Sequence, residues 1–347
     1  MQFSKALTDW YLQNRRDLPW RKTTDPYFIW LSEIILQQTR VAQGLPYFIA
    51  FAEAFPTVKS LAEAPEEKVL KLWQGLGYYS RARNLHATAK MVNDEMTGIF
   101  PPDYNGLLKL KGVGDYTAAA IASIAYGEEV PVVDGNVYRV LGRYFGITTD
   151  ISSPGAKKEF TAKAASLMPK GQASLFNQAM MEFGALQCVP KNPPCMICPL
   201  VSDCVAFNTG RVNELPVKLK KTKVTNRYFN YLIVKDANSN SLIQKRTAKG
   251  IWHNLYEFPL LETDGPMASE DVEQLIKKYD FGFQVSGFRL LNNEPVIHKL
   301  SHQHLHIRFW EVITNEIVAD AIDVETLKTY PFPIIIYNFI EKHWQLS

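Results

Sequence analysis

The chain has 347 residues, of which 46% are hydrophobic and 12% aromatic, and its formal net charge is +3. At roughly 150 residues per domain, this length predicts two domains, each with enough apolar residues for a core. So small a charge excludes a polybasic protein, and any site for a polyanion must be a local patch. No apolar run approaches the roughly 18 residues of a membrane span, and the N-terminus lacks a signal-peptide core. We therefore expect a soluble, intracellular protein without a membrane partner.

Residues 1–209 are predicted to be almost entirely helical. The N-terminal segment MQFSKALTDWYLQNRR has an amphipathic pattern. Asp25-Pro26 then provides an N-cap and a proline at the first helical position for a helix through YFIWLSEIILQQTR. Glycine and proline segments separate the helical patterns that follow. These patterns lie at about 41–54, 66–73, 80–96, 103–109, 115–126, 135–145, 154–167 and 172–187.

The pattern changes after residue 209. Residues 210–225 contain Pro216 and several lysines, which predicts a linker. Beyond the linker, short apolar or alternating runs such as YFNYLIV, SLIQKR, LYEFPL and LHIRFWEVI are typical of strands. A helix at about 268–279 and another near the C-terminus complete a predicted α+β domain at 226–347.

All four cysteines lie close together, in the spacing Cys188-x6-Cys195-x2-Cys198-x5-Cys204. In a reducing compartment, such crowding more often holds a metal than a set of disulfides. Four thiolates suit either zinc or a cubane iron–sulfur cluster. Zinc sites usually present two close cysteine pairs, and here only Cys195 and Cys198 are close. We therefore expect a structural [4Fe–4S] cluster, with zinc as the alternative.

The segment Leu110–Thr117 joins two helical patterns and contains Gly112 and Gly114. Glycines let the backbone approach a ligand closely, and the following helix N-terminus offers free N–H groups and a positive dipole end. Such a site binds a DNA phosphate without net positive charge. The alternative is an ordinary helix–turn–helix connection, but the cysteine loop downstream favours DNA binding.

Two carboxylates suggest acid–base chemistry. Glu33 lies on a largely apolar helix face, so burial should raise its pKa and keep it available as an acid. Asp134 precedes a helix that begins near Gly135, where it should cap the helix, accept backbone N–H bonds and stay ionised with a low pKa. One protonated and one charged carboxyl group is what glycoside cleavage through an oxocarbenium-like transition state requires. The alternatives are a solvent-facing glutamate and a purely structural cap.

Four segments together resemble the helix–hairpin–helix DNA glycosylases, and among these the MutY-type adenine DNA glycosylases. The segments are SEIILQQTRV, LKGVGDYTAAAI, VPVVDGNVYRVLGR and the four-cysteine loop. The resemblance is strong over 1–209 and weak over 226–347. It implies a mainly α helix–hairpin–helix glycosylase domain with a [4Fe–4S] loop, followed by an α+β, Nudix-like domain.

The resemblance implies a base excision repair enzyme that acts, as a monomer, on double-stranded DNA with an adenine paired to 8-oxoguanine or guanine. The adenine is flipped out and its N-glycosidic bond is hydrolysed. Glu33 is implied to protonate N7 of adenine and Asp134 to stabilise the positive sugar, while Asn136 and Tyr116 support the sugar and Asp134. Tyr116 stands where endonuclease III relatives carry a lysine that attacks the sugar, so we predict a monofunctional glycosylase.

The resemblance also implies DNA contacts. Side chains that insert into a duplex compensate for the unstacking of bases. The positions implied to contact the flipped adenine are Arg16, Trp20, Arg21 and Gln178, with Trp20 alternatively a core residue. Gln38 and Tyr78 are implied to wedge into the duplex, with Thr39 and Leu76 alongside.

The C-terminal domain lacks the closely spaced carboxylates of Nudix hydrolases, so we expect it to check the base opposite adenine and not to hydrolyse nucleotides. The resemblance implies a Phe-Ser-His reading loop, which here is Leu300-Ser301-His302. Leucine replaces the stacking aromatic, while Ser301 and His302 can still form hydrogen bonds. The histidine-rich stretch 298–306 is either a polar strand face or a metal site.

Two other functions are consistent with parts of the sequence. One is an endonuclease III-like glycosylase that also cleaves the strand, which Tyr116 and the long C-terminal domain disfavour. The other is a non-catalytic DNA-binding protein with a four-cysteine zinc site, which the pair Glu33 and Asp134 disfavours.

Overall fold

The computed structural model describes residues 2–219 and 223–343. The chain divides into two compact units, which we call the helical unit (Met1–Glu63 with Asn84–Lys220) and the sheet unit (Ala64–Arg83 with Lys221–Ser347). Residues 64–83 therefore group with the sheet unit, although the sequence places them within a helical domain at 1–209. Residues 220–222 of the predicted linker lie outside the described residues.

Several helices of the helical unit begin at a residue whose side chain caps the helix N-terminus. Asp25 accepts a hydrogen bond from the Tyr27 N–H at 2.8 Å, ahead of Pro26. Asp134 caps its helix in the same way, as predicted. The α-helices are α1 (Gln2–Asn14), α2 (Pro26–Leu36), α3 (Val41–Ala54), α4 (Val58–Ala62), α7 (Tyr104–Leu107), α8 (Asp115–Ala125), α9 (Gly135–Phe145), α10 (Ala156–Leu167), α11 (Ala173–Leu186) and α12 (Val205–Asn208). Short 3-10 helices cover Pro19–Arg21 and Cys195–Ile197.

A core of large side chains joins α1, α9, α10 and α11. Its fully buried members include Leu7, Leu141, Phe160 and Phe176. Helix α2 is buried along most of its length, and Trp30, Leu31 and Ile35 are completely inaccessible to solvent. This burial matters for function because α2 also carries Glu33.

The sheet unit is built on two long parallel strands. Residues Thr225 to Lys235 of β1 pair with Gln303 to Ile313 of β7, while β4 lies antiparallel to β1, and β5 and β6 lie antiparallel to β7. The strands are β1 (Thr225–Lys235), β2 (Gln244–Lys245), β3 (Tyr256–Glu257), β4 (Leu260–Thr263), β5 (Gly287–Leu290), β6 (Val296–Lys299) and β7 (Gln303–Ile313). The helices are α5 (Glu66–Leu72), the start of α6 (Ser80–Glu95), α13 (Ser269–Lys278), α14 (Val324–Thr329) and α15 (Ile334–His343).

Both faces of this sheet are covered, in agreement with the uninterrupted burial of β1 over residues 229–234. On one face Leu232 and Val234 pack with Val272 and Ile276 of α13. On the other face the Phe309 ring stacks on that of Phe339 in α15. The predicted α+β character of the C-terminal region is therefore confirmed.

Most of the predicted helices and the two long strands are present with small differences at their ends. SLIQKR and LYEFPL form strands of only two residues, Gln244–Lys245 and Tyr256–Glu257. Strands β5 and β6 were not predicted, because their residues are partly or fully exposed and lack a clear apolar pattern. In the described part of the chain, every helix is too short or too polar to cross a membrane.

Candidate active site

The helical unit contains a cavity of about 1200 Å³ that is open to solvent. It brings together the predicted catalytic residues of this unit with the residues expected to contact adenine. The predicted site residues that line it are Arg16, Trp20, Arg21, Glu33, Gln38, Thr39, Gly112, Gly114, Tyr116, Asp134, Asn136 and Gln178. The remaining expected DNA contacts, at Leu76, Tyr78 and 300–302, belong to the sheet unit.

Glu33 is buried in the wall of this cavity, with 7% of its surface exposed. The Tyr116 hydroxyl donates a hydrogen bond of 2.5 Å to Glu33 Oε2 and lies 3.5 Å from the Met181 sulfur. Burial raises the pKa of Glu33 from 4.5 to about 7, with Asp134 adding to the rise while Tyr116 and Arg21 oppose it. The expectation of a buried carboxyl group with a raised pKa is confirmed, and Glu33 can carry a proton near neutral pH.

Asp134 is held by three N–H donors at the start of α9. Its Oδ1 accepts from the backbone N–H groups of Asn136 and Val137 at 2.9 and 2.8 Å, and its Oδ2 accepts from Asn136 Nδ2 at 2.7 Å. Burial raises the pKa of Asp134, although these donors lower it. The expectation of a low pKa is therefore wrong, because the donors recover only part of the solvation that burial removes. Asp134 nevertheless accepts three hydrogen bonds, whereas Glu33 accepts the one from Tyr116 described above. This difference favours the negative charge on Asp134 and the proton on Glu33.

Arg139, which is not among the residues predicted from the sequence, supports the Asp134 side of the site. Its Nη2 donates to Asn136 Oδ1 at 2.7 Å and to the Gly184 carbonyl at 2.6 Å, and its Nε donates to the Cys188 carbonyl at 2.6 Å. Gly184 is required here, since a Cβ at this position would lie 2.5 Å from the Asn136 Cβ. The spacing of Asn136 and Arg139, one helical turn apart, was the available signal.

Arg16 and Arg21, expected to contact adenine, are both bound to Glu182. Arg16 Nη2 lies 2.5 Å and Arg21 Nη2 lies 2.8 Å from Glu182 Oε2. Glu182 also lines the cavity but was not identified from the sequence. Its place one turn after Gln178 on α11 was the signal that could have found it.

Trp20 and Gln178 complete the adenine side of the cavity. Trp20 is 8% exposed and packs edge-on against Phe48, so it belongs to the core as well as to the cavity wall. The Gln178 side chain accepts a hydrogen bond from the Tyr11 hydroxyl at 3.2 Å and donates to Ser174 at 3.1 Å. These two hydrogen bonds hold the Gln178 amide in one orientation in the cavity wall.

The glycine hairpin ends at the N-terminus of α8. Gly112 has φ +77, and a Cβ there would lie 2.7 Å from the Asn84 Cβ, so both backbone and packing require glycine. Gly114, with φ −95, is the N-cap of α8, and a Cβ there would meet open space. Gly114 thus keeps the backbone accessible to a ligand at the helix N-terminus.

The four cysteines line one small cavity between α9 and the loop before α12. Arg143 reaches into it, donating to the Cys188 sulfur at 3.4 Å and to the Val189 carbonyl at 2.8 Å. Burial raises the pKa of the thiol at Cys195 and Cys204, and raises that of Cys198 to about 11. Within 2–219 and 223–343, the stretch 298–306 included, no group of three or more His, Cys, Asp or Glu side chains is placed to hold a metal ion. Four thiols spread around one cavity suit a cluster that takes one thiolate per iron.

The sheet unit gathers its own predicted residues in a cavity of about 570 Å³. Leu76, Tyr78, Leu300, Ser301 and His302 all line it. The Tyr78 ring is 46% exposed, and its hydroxyl donates a hydrogen bond of 2.9 Å to Ser301 Oγ, which lies 3.5 Å from His302 Nδ1. The expected wedge and the expected reading loop are therefore in direct contact.

The segment that carries Tyr78 is anchored on the sheet unit. Lys71 Nζ donates to the Lys328 carbonyl at 2.5 Å, and Lys245 Nζ lies 2.6 Å from Glu67 Oε1. Arg83 donates to the His253 carbonyl at 2.7 Å. These contacts explain why residues 64–83 group with the C-terminal residues.

Comparisons with known proteins match two separate parts of the sequence. A model of the HhH-GPD superfamily of base excision DNA repair proteins matches residues 31–169, and a NUDIX domain model matches residues 230–342. The adenine DNA glycosylase of Buchnera aphidicola subsp. Schizaphis graminum (strain Sg) is 36% identical over 306 residues, covering 88% of this chain and 86% of that protein. The adenine DNA glycosylase of Homo sapiens is 44% identical over 213 residues, covering 59% of this chain and 39% of that protein. Among solved structures, a thermostable thymine-DNA glycosylase has a TM-score of 0.56 at 30% identity, covering 60% of this chain and 95% of that one.

The helical fold and its hairpin define a helix–hairpin–helix DNA repair glycosylase with a Nudix-like C-terminal domain, which confirms the predicted fold class. Within this class, the chain is similar to adenine DNA glycosylases over most of its length. The chain belongs to the adenine DNA glycosylase family, and its members are enzymes of base excision repair.

Proposed function

We propose that this enzyme removes adenine paired with 8-oxoguanine or guanine from double-stranded DNA, acting as a monomer. The observation that carries the proposal is that Glu33 and Asp134 line one cavity in unlike surroundings. Glu33 is buried and has a raised pKa of about 7, while Asp134 accepts three N–H hydrogen bonds. An acid and a stabilising carboxylate are thus available to one extruded nucleotide.

The proposed reaction begins with a proton on Glu33. Glu33 donates this proton to N7 of the flipped adenine, and the bond between C1′ and N9 breaks with its electron pair going to the base. The sugar becomes positively charged, and the Asp134 carboxylate stabilises it. A water then attacks C1′ and gives its proton to the Glu33 carboxylate, which restores the starting state.

The surrounding residues hold this pair in position. Asn136 orients Asp134 through its amide, and Tyr116 orients Glu33 through its hydroxyl. Arg16, Trp20, Arg21 and Gln178 are proposed to form the adenine-binding wall. Tyr116 has no amine that could form a Schiff base with the sugar, so we expect base removal without strand cleavage.

The DNA contacts are proposed for each unit separately. In the helical unit, Gly112 and Gly114 bind a phosphate at the α8 N-terminus, and Gln38 wedges into the duplex with Thr39 alongside. In the sheet unit, Tyr78 wedges into the duplex with Leu76 alongside, and the loop Leu300-Ser301-His302 reads the base opposite adenine. We keep 1–209 and 226–347, joined by the linker 210–225, as the proposed sequence domains.

The cysteine loop is proposed to hold a [4Fe–4S] cluster through Cys188, Cys195, Cys198 and Cys204. When bound, the cluster would supply a rigid cross-link and no catalytic chemistry. Absorbance near 400 nm with four bound irons per chain supports this assignment. Stoichiometric zinc without that absorbance would refute it.

The central test uses duplexes that contain A:oxoG, A:G, A:C or thymine glycol, each with and without alkali. We expect the A:oxoG and A:G strands to break only after alkali, because only the base is removed. Glu33→Gln should abolish excision while DNA binding persists, and Glu53→Gln, at an exposed position on α3, is the matched control. Normal excision by Glu33→Gln, or strand cleavage of thymine glycol without alkali, would contradict the proposal.

A further inference from the structure

Glu182 is a buried carboxylate shared by two arginines. Its side chain is 1% exposed. It accepts hydrogen bonds from the Arg16 backbone N–H at 2.9 Å, from Arg16 Nε at 3.0 Å, and from Arg21 Nη1 and Nη2 at 2.8 Å each. Burial raises the pKa of Glu182, but the hydrogen bonds from Arg21 and Arg16 outweigh burial and lower it to about 2. Glu182 is therefore ionised throughout the working pH range.

These three residues share the cavity wall with the catalytic pair. Arg21 is close enough for its charge to favour the ionised form of Glu33. Glu182 follows Met181, whose sulfur lies 3.5 Å from the Tyr116 hydroxyl. The other titratable or charged groups that line this cavity are Arg40, Asp115, Tyr116, Asp134 and Arg139.

We propose that Glu182 is a positioning residue that holds Arg16 and Arg21 in the cavity wall and neutralises the Arg21 charge beside Glu33. This inference rests on the proposed role of Glu33 as the acid. An uncompensated guanidinium beside the buried Glu33 would favour the carboxylate form of Glu33, which cannot protonate adenine. By pairing with Arg21, Glu182 allows a cation to line the adenine wall without removing the proton that the reaction needs.

Glu182→Gln keeps the size of the side chain and removes its charge, so it separates position from electrostatics. The measurement is the single-turnover rate of adenine excision, with enzyme in excess and saturating, on an A:oxoG duplex. If the pKa of Glu33 falls by one unit from about 7, the wild-type to variant rate ratio should rise about sevenfold between about pH 5.5 and about pH 8. Glu182→Asp, which retains the charge, should restore the wild-type pH profile even if its maximal rate is lower.

A ratio that is the same at both pH values would overturn the inference, because a merely structural defect lowers the rate equally across pH. If Glu182→Gln does not fold, the double variant Arg21→Gln with Glu182→Gln removes both charges of the pair. The pH at which its excision rate falls should then be equal to or higher than that of the wild type. A fall at a lower pH than in the wild type would refute the charge-compensation role. Wild-type excision on the same duplex tests the proposed function separately, so the two can fail independently.

Discussion

Glu33→Gln should make the protein more stable at high pH while it abolishes activity. Glu33 is buried and has a raised pKa, so the folded state prefers the protonated carboxyl group. Below a pH of about 4.5 the folded and unfolded chains both carry this proton, so the ionisation of Glu33 does not affect the free energy of unfolding. As the pH rises toward 7, the unfolded chain releases the proton first, and the folded state loses stability relative to it. Glutamine has nearly the same shape and no charge, so it escapes this loss.

The structure sets the size of the effect. A pKa of about 7 in place of 4.5 corresponds, at about 1.4 kcal/mol per pKa unit, to about 3 kcal/mol at pH values above both. The Tyr116 hydroxyl can donate to the glutamine oxygen as it does to Glu33 Oε2, so this hydrogen bond is not lost. The variant should therefore match the wild type near pH 4.5 and exceed it by up to about 3 kcal/mol above pH 7.

Urea unfolding of the full-length wild type and variant, followed by circular dichroism at several pH values, measures this difference. The control is Glu53→Gln on an exposed part of α3, which removes the same charge without burial. We expect its midpoint to follow the wild type at every pH. The reasoning would be refuted if Glu33→Gln were equally or less stable than the wild type at pH 8, because the carboxylate would then carry no burial cost.

Three further changes have expected outcomes. Tyr116→Phe removes a hydrogen bond that lowers the pKa of Glu33, so the single-turnover excision rate should decline at a higher pH than in the wild type, whatever its maximal value. A decline at a lower pH would contradict the role of Glu33 as the acid. Gly112→Ala should destabilise the fold by about 1–3 kcal/mol because of its positive φ and close packing, whereas Gly114→Ala should change the free energy of unfolding by no more than about 0.5 kcal/mol and weaken DNA binding. Equal effects on folding would refute this contrast. Tyr78→Phe keeps the ring but loses the hydrogen bond to the reading loop, so the ratio of excision from A:oxoG over A:G should fall, and an unchanged ratio would show that this contact does not serve discrimination.

The features that the sequence predicted well depend on local rules. The N-cap at Asp25 and the apolar run that follows determine α2, and the apolar neighbours of Glu33 on that helix predict its burial and the direction of its pKa. The cap at Asp134 is equally local. In each case the decisive neighbours lie within four residues along the chain, so periodicity and capping preferences were sufficient.

The features that it missed depend on contacts between distant segments. Glu182 meets Arg16 and Arg21 across more than 160 residues of sequence, and Arg139 reaches the Cys188 carbonyl across 49. The pKa of Asp134 was predicted in the wrong direction because the donors are local and visible in the sequence, whereas the burial that outweighs them is tertiary. Contacts between segments so far apart in the sequence cannot be predicted from its local periodicity.

Backbone geometry adds independent support for two of the expected wedge residues. Gln38 has φ 56 and Tyr78 has φ 48, although neither is a glycine. Such left-handed conformations are uncommon for these residues and cost about 1 kcal/mol or more, whereas glycine would adopt them without steric cost. A fold that needed only the turn would favour glycine at these positions, so the glutamine after α2 and the tyrosine after Gly77 are consistent with the proposed role of their side chains. Both side chains are exposed and line a cavity, where a duplex could be entered.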